Sequence, residues 1–163
     1  MGDAASGNEI QQFLTFLLGE NVYAFEVSHV REILEVIPIT RVPRTPEYLR
    51  GVINNRGSVI PVLDVKQKFG MGKTGKGLNT CIIVAELMLG NDALTVGVLS
   101  DSVQEVVELD AGQIQPPPKV GAGEGAEFLM GIGKKDDRFI MIMDINHLFN
   151  AQELSVVQSS GAL

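Results

Sequence analysis

Apolar positions along the chain fall into short runs rather than long helical stripes. Residues 13–18 and 81–89 are almost continuously apolar, and each leads through a Gly-Glu-Asn or Gly-Asn-Asp turn into a second run, at 22–27 and 93–99. Short runs rich in aromatic and branched residues, closed by Gly and Asn turns, predict hairpins. Residues 51–54 and 58–63 form another such pair around Asn55-Arg56-Gly57, and residues 131–134 and 138–143 form a fourth around Lys135-Asp136-Asp137. Residues 30–37 and 103–109 mix apolar and charged side chains without clean alternation. Such a strand is expected where two barrels meet, since neither of its faces is simply core or simply water. Residues 64–69 and 144–149 predict short helical turns with Asp64 and Asp144 as N-caps. Pro46 suits the first position of a further turn, and residues 151–158 predict a short C-terminal helix.

The elements come in two copies. Glu47-Tyr-Leu-Arg-Gly-Val52 answers to Glu127-Phe-Leu-Met-Gly-Ile132 at an offset of 80. Ile60, Val62, Asp64, Val65 and Phe69 keep that offset with Ile140, Ile142, Asp144, Ile145 and Phe149. Upstream, Val30, Glu32, Ile33 and Glu35 meet Val103, Glu105, Val106 and Glu108 at an offset of 73, the difference lying in one connector. Two copies of one unit, about 11–70 and 79–150, make paired subdomains rather than an open array. Four or five short strands per copy predict a mainly β fold of two similar small barrels packed together, an arrangement open to exchange of a strand or helix between the lobes. Residues 11–157 then form one domain, with tails at 1–10 and 158–163. Residues 70–77, half of them glycine, read as a mobile inter-copy loop. Pro116-Pro117-Pro118 followed by Gly121-Ala-Gly-Glu-Gly125 reads as a stiff piece and then a flexible one.

Composition narrows the function classes. The 163 residues are 45% hydrophobic and 20% charged, which supports a packed globular protein. Thirteen Lys and Arg against twenty Asp and Glu leave a net charge of −7, so nucleic acid is not an expected partner. A single cysteine, Cys81, excludes an intramolecular disulfide and any cysteine-cluster metal site, and a reducing, cytoplasmic setting is the natural expectation. No apolar run is long enough for a membrane helix.

A search for catalysis finds no centre. Gly70-Met-Gly-Lys-Thr-Gly-Lys-Gly77 is close to a phosphate-binding loop, but Gly77 stands where Ser or Thr should hold magnesium, and the stretch leads into a strand rather than a helix. His29 and His147 have no Cys or second His at ligand spacing, and Gln67 matches His147 in the other copy, which suggests a solvent-facing place. Capping accounts for Asp64 and Asp144, and Cys81, among Ile82, Ile83 and Val84, reads as buried and inert. No enzyme activity, metal or cofactor is expected.

The copies differ where function can specialise. Asn54-Asn55-Arg56-Gly57-Ser58 faces Lys134-Lys135-Asp136-Asp137-Arg138, an arginine turn against an acidic one. Gly57 can adopt positive φ and let Arg56 stand clear of its hairpin, and arginine is enriched where binding energy concentrates.

Val30-Arg31-Glu32-Ile33, Tyr48-Leu49-Arg50-Gly51-Val52-Ile53-Asn54-Asn55-Arg56-Gly57 and Val59-Ile60-Pro61-Val62-Leu63-Asp64 closely resemble the signature segments of the CheW family of bacterial chemotaxis coupling proteins. Gln113-Ile114-Gln115-Pro116 and Phe128-Leu129-Met130-Gly131 are similar to its second half. The resemblance implies two five-stranded SH3-like barrels, no catalysis, and a scaffold joining the cytoplasmic tips of chemoreceptors to the histidine kinase CheA. It ties Arg56 and Glu32 to receptor or kinase contact, with Val30, Gly51 and Asn54 in the same segments. It also implies a cytoplasmic protein recruited to membrane-associated receptor arrays, without membrane insertion of its own. A Glu32–Arg56 ion pair is expected to hold the turn. The alternatives are the coupling module of a CheV-type or other CheW-like scaffold and, from another class, a nucleotide-binding protein using the loop at 70–77.

Overall fold

The computed structural model describes residues 9–117 and 128–149. In chain order it contains β1 (Ile10–Leu18), β2 (Asn21–Glu26), β3 (Val30–Glu35), β4 (Leu49–Asn55), β5 (Ser58–Leu63) and the helical turn α1 (Val65–Lys68). The second copy follows as β6 (Cys81–Leu89), β7 (Asp92–Ser100), β8 (Ser102–Asp110), β9 (Ile114–Gln115), β10 (Leu129–Lys135), β11 (Arg138–Met143) and α2 (Ile145–Leu148). Asp64 and Asp144 cap the two turns as expected, accepting hydrogen bonds from the backbone N–H of Gln67 and of Asn146. The expected C-terminal helix at 151–158 and the glycines at 121–125 lie outside the described residues. The architecture is mainly β, with two sheets and few short helices.

The sheets cut across the two sequence copies. One has the order β3-β6-β7-β5-β4 and the other β8-β1-β2-β11-β10-β9. Each therefore takes the first hairpin of one copy and the later strands of the other. The joins between copies include two short parallel pairings, β5 with β7 and β2 with β11, among otherwise antiparallel neighbours.

The reason is visible in the burial of those hairpins. In β6, Ile83, Ala85 and Leu87 point into the large central cluster, while Ile82 and Val84 point into the core of their own sheet. In β1 and β2, Leu14, Phe16, Leu18, Tyr23 and Phe25 enter the central cluster, while Phe13 and Ala24 face the other way. A hairpin apolar on both faces is stable only between two cores, and the continuous apolar runs at 13–18 and 81–89 encode that. Phe16 and Phe25, with ring centroids 5.0 Å apart, sit in this shared cluster.

The layer between the barrels is thus built by β1–β2 and β6–β7. The third strands, expected there from their mixed pattern, lie elsewhere. Val30 and Val103 at their starts pack against the central cluster, whereas Leu34, Val107 and Leu109 further on belong to the separate sheet cores. Ile33 and Val106, at equivalent places, are exposed. Each third strand runs from the shared core to the rim of its own barrel, and this change of surroundings produces the mixed pattern.

Each barrel is closed beyond its third strand in the same way. After β3 the chain curls until Thr40 bridges Val52 of β4, with reciprocal 2.8 Å backbone hydrogen bonds. After β8, Ile114 and Gln115 pair with β10. Gly51 and Gly131 permit these approaches: a Cβ on Gly51, whose φ is +142°, would lie 2.1 Å from the Thr40 carbonyl oxygen, and one on Gly131 would lie 3.0 Å from that of Gln115.

Candidate partner-binding surface

The β4–β5 turn consists of Arg56 and Gly57, with φ of 57° and 86°. Two successive positive φ values match the right-handed twist of a two-residue hairpin, and Asn54 supports the turn by accepting a 3.0 Å hydrogen bond at Oδ1 from the Gly57 N–H. The Arg56 side chain leaves this turn 77% exposed, and its Nη2 lies 2.9 Å from Glu32 Oε1 on β3. The other carboxylate oxygen accepts from Asn55 Nδ2, also at 2.9 Å. Since β3 and β4 are the two edges of their sheet, Glu32 fastens the seam where the barrel closes. The ion pair expected from the sequence is present.

Glu105, the twin of Glu32, shows how the copies diverge. It pairs with Arg138 at 3.1 Å, two positions beyond the twin of Arg56. The second turn keeps the backbone, with φ of 52° and 64° at Asp136 and Asp137, but carries acids in place of arginine and glycine. The seam needs a cation near its glutamate, and in the second barrel the following strand supplies it. An exposed ion pair contributes only about 0–1 kcal/mol. Arg56 is therefore weakly committed and largely open to solvent.

The other residues singled out from the sequence occupy different settings. Asn54 is exposed beside Arg56, and Val30 is half-buried against the central cluster. Gly51 is buried where Thr40 crosses, so its evident task is close backbone approach. His147 is exposed, with Nδ1 3.4 Å from Asp144 Oδ2. Gln67, its counterpart, differs from the expected solvent-facing position: it is half-buried, and its Oε1 is buried without a hydrogen-bond partner.

A buried polar cluster was not apparent from the sequence. Asp64 is fully buried and accepts from Arg50 Nη1 at 3.0 Å, Thr74 N at 2.9 Å and Thr74 Oγ1 at 2.7 Å, in addition to its capping bond. Arg50 also donates to the Thr74 carbonyl at 3.3 Å. The loop at 70–77, expected to be mobile, is thus pinned at its middle by a buried threonine. The signal available in the sequence was that Arg50 answers to Met130, so one copy alone carries a basic partner for the capping aspartate. The loop opens no helix and its Thr74 hydroxyl is occupied by Asp64, which removes the local basis for a phosphate-binding reading.

Cys81 is buried, and that burial pushes its thiol pKa up despite opposing hydrogen bonds from Ser100 and Val103. Such a thiol is a poor nucleophile. Among the described residues no group of three His, Cys, Asp or Glu side chains is arranged to hold a metal ion, and no helix is long and apolar enough to cross a membrane.

Comparison with known proteins agrees with this architecture. A chemotaxis protein CheW from Klebsiella aerogenes is 33% identical over 149 residues, covering 91% of this chain and 87% of its own. Protein FrzA from Myxococcus xanthus is 31% identical over 129 residues, covering 79% and 78% respectively. The crystal structure of scaffolding protein TtCheW from Thermoanaerobacter tengcongensis superposes with a TM-score of 0.78 at 36% identity, covering 88% of this chain and 90% of that one. The family model for the CheW-like domain matches residues 12–153, and the chain belongs to the CheW-like domain family.

Proposed function

We propose that this protein is a non-catalytic adaptor of chemotaxis signalling that couples the cytoplasmic tips of chemoreceptors to a CheA-type histidine kinase. The observation that carries the reading is the Arg56 turn within a CheW-like fold: an arginine 77% exposed, oriented by Glu32 and placed on a rigid two-residue turn. Preorientation of this kind lowers the entropy lost when an arginine engages a partner. A receptor helical hairpin docks its apolar stripe between the barrels with Arg56 setting register, and a barrel end meets the similar barrel of the kinase. No chemistry is required of the adaptor, only that its complex favour one arrangement of receptor and kinase. The protein works in the cytoplasm at receptor arrays.

The test is a pull-down of the full chain against a CheA-type kinase and a receptor cytoplasmic fragment, with Arg56→Ala alongside. Wild type is expected to retain both. The substitution is expected to weaken receptor retention about tenfold, which corresponds to about 1.4 kcal/mol, while changing folding stability by no more than about 0.5 kcal/mol. Unchanged retention by Arg56→Ala removes the arginine from the interface, and failure of wild type to bind either partner removes the coupler reading.

A further inference from the structure

Charge is divided unequally between the two halves of the fold. Residues 27–100, which hold β3 to β7, carry nine Lys and Arg against six Asp and Glu; the other described residues carry three against ten. Of the nine cations, Arg31 pairs with Glu86, Arg50 with Asp64, Arg56 with Glu32 and Lys66 with Asp101. Lys68 lies between the rings of Tyr48 and Phe128, 5.2 and 5.1 Å from their centroids. Arg41, Arg44, Lys73 and Lys76 are exposed and form no ion pair among the described residues.

All four lie on two segments, the connector after β3 and the loop before β6. These same segments wall a groove of about 720 Å³, with Ile37, Pro38 and Ile39 from the connector and Lys76 and Leu78 from the loop. Leu78 is fully exposed, at 103%, which is unusual for a leucine beside an apolar floor. Lys73 adjoins the lining residue Thr74, and Arg41 lies two residues beyond Ile39. The lining also includes one anion, Glu35. The Asp64–Arg50–Thr74 cluster holds the loop wall in place from beneath, so the groove is preformed rather than a chance separation of loose loops.

We infer that this groove binds an acidic segment of a partner protein that carries apolar side chains at short spacing. The apolar side chains lie on Ile37, Ile39 and Leu78, and the carboxylates meet Lys76 in the lining, with the exposed Lys73 on the same loop wall beside it. An apolar floor supplies affinity, and a rim where cations outnumber the one anion, Glu35, supplies orientation and disfavours basic segments. Since the rest of the molecule is strongly acidic, this cationic rim is where an acidic segment meets least repulsion. The inference does not depend on the coupler reading, because neither Arg56 nor Glu32 lines the groove and it is tested without kinase or receptor.

The experiment is fluorescence anisotropy of a labelled peptide alternating Leu with Asp and Glu, titrated with the full-length protein at low and moderate salt. Saturable binding is expected, weakened at least about tenfold by Lys73→Glu with Lys76→Glu, weakened similarly by Leu78→Ser, and reduced by salt. Both sets of side chains are exposed, so circular dichroism should show the variants folded. Absence of saturable binding, insensitivity to these substitutions, or equal binding of a peptide of Glu alone overturns the inference. Two controls identify the wrong occupant. Concentration-dependent dimerisation lost in the Lys73→Glu, Lys76→Glu protein assigns the groove to a second copy, and equal or tighter binding to phosphatidylserine vesicles assigns it to a membrane surface.

Discussion

At the scale of single residues, matching positions in the two copies separate requirements of the fold from local specialisation. Glu32 and Glu105 both draw an arginine across a barrel seam, yet the arginines come from positions two residues apart in the aligned hairpins. The glutamate is common to both barrels, while an arginine at the turn belongs to the first. Gly51 and Gly131 agree because another strand passes within Cβ distance of each. Gly57 faces open space: a Cβ there would meet nothing within 4 Å, and only the positive φ restricts the position. Gly51→Ala is therefore expected to destabilise the fold by more than about 2 kcal/mol, since backbone must move, and Gly57→Ala by about 1–2 kcal/mol from backbone strain alone. Urea denaturation of both variants checks the order, and equal losses would contradict the crossing-strand explanation. The arginine turn was legible in the sequence because a two-residue hairpin leaves few geometries, and its ion pair with Glu32 was expected from the family resemblance. The task of Gly51 was not, since Thr40 is brought to it only by closure of the barrel.

At the scale of elements, the loop at 70–77 shows how composition misleads. Its glycines indicate freedom, and Gly70 and Gly72 do adopt φ of 77° and 96°. One threonine cancels much of that freedom by reaching a buried carboxylate through both its N–H and its hydroxyl. Removing one partner of a buried ion pair costs about 3–5 kcal/mol because the other is left uncompensated. Asp64→Ala should lose about that much stability and expose the bonds after Lys73 and Lys76 to trypsin. Asp144→Ala, at a partly exposed cap, should lose only about 1 kcal/mol. Chemical denaturation combined with limited proteolysis reads both effects, and a loop equally resistant in Asp64→Ala would show that the anchor lies elsewhere. The cluster escaped sequence reading because Arg50, Asp64 and Thr74 follow no helical or strand spacing. The fold brings them together from three different elements.

At the scale of the whole molecule, neither sequence copy matches a sheet. Each first hairpin is inserted beside strands of the other copy, and among the described residues eighteen buried side chains from both copies share one central cluster. The two barrels should consequently unfold as one unit, with coincident circular dichroism and tyrosine fluorescence transitions. Phe16→Ala, at the centre of the shared cluster, should cost about 3–5 kcal/mol and lower a single transition rather than release one barrel. Two separated transitions would mean that the barrels are stable alone. The short runs, the turn residues and the duplication are local or periodic properties of the chain, so strands, hairpins, caps and two small barrels could be read directly from it. The doubly apolar hairpins also carried a signal of burial on both faces, although the layer between the barrels was expected from the third strands. Which copy lends its hairpin to which sheet, how Asp64 acquires its partners and where the unpaired cations gather depend on contacts between residues distant in sequence. No local preference encodes these; they are settled when both barrels close around one common core.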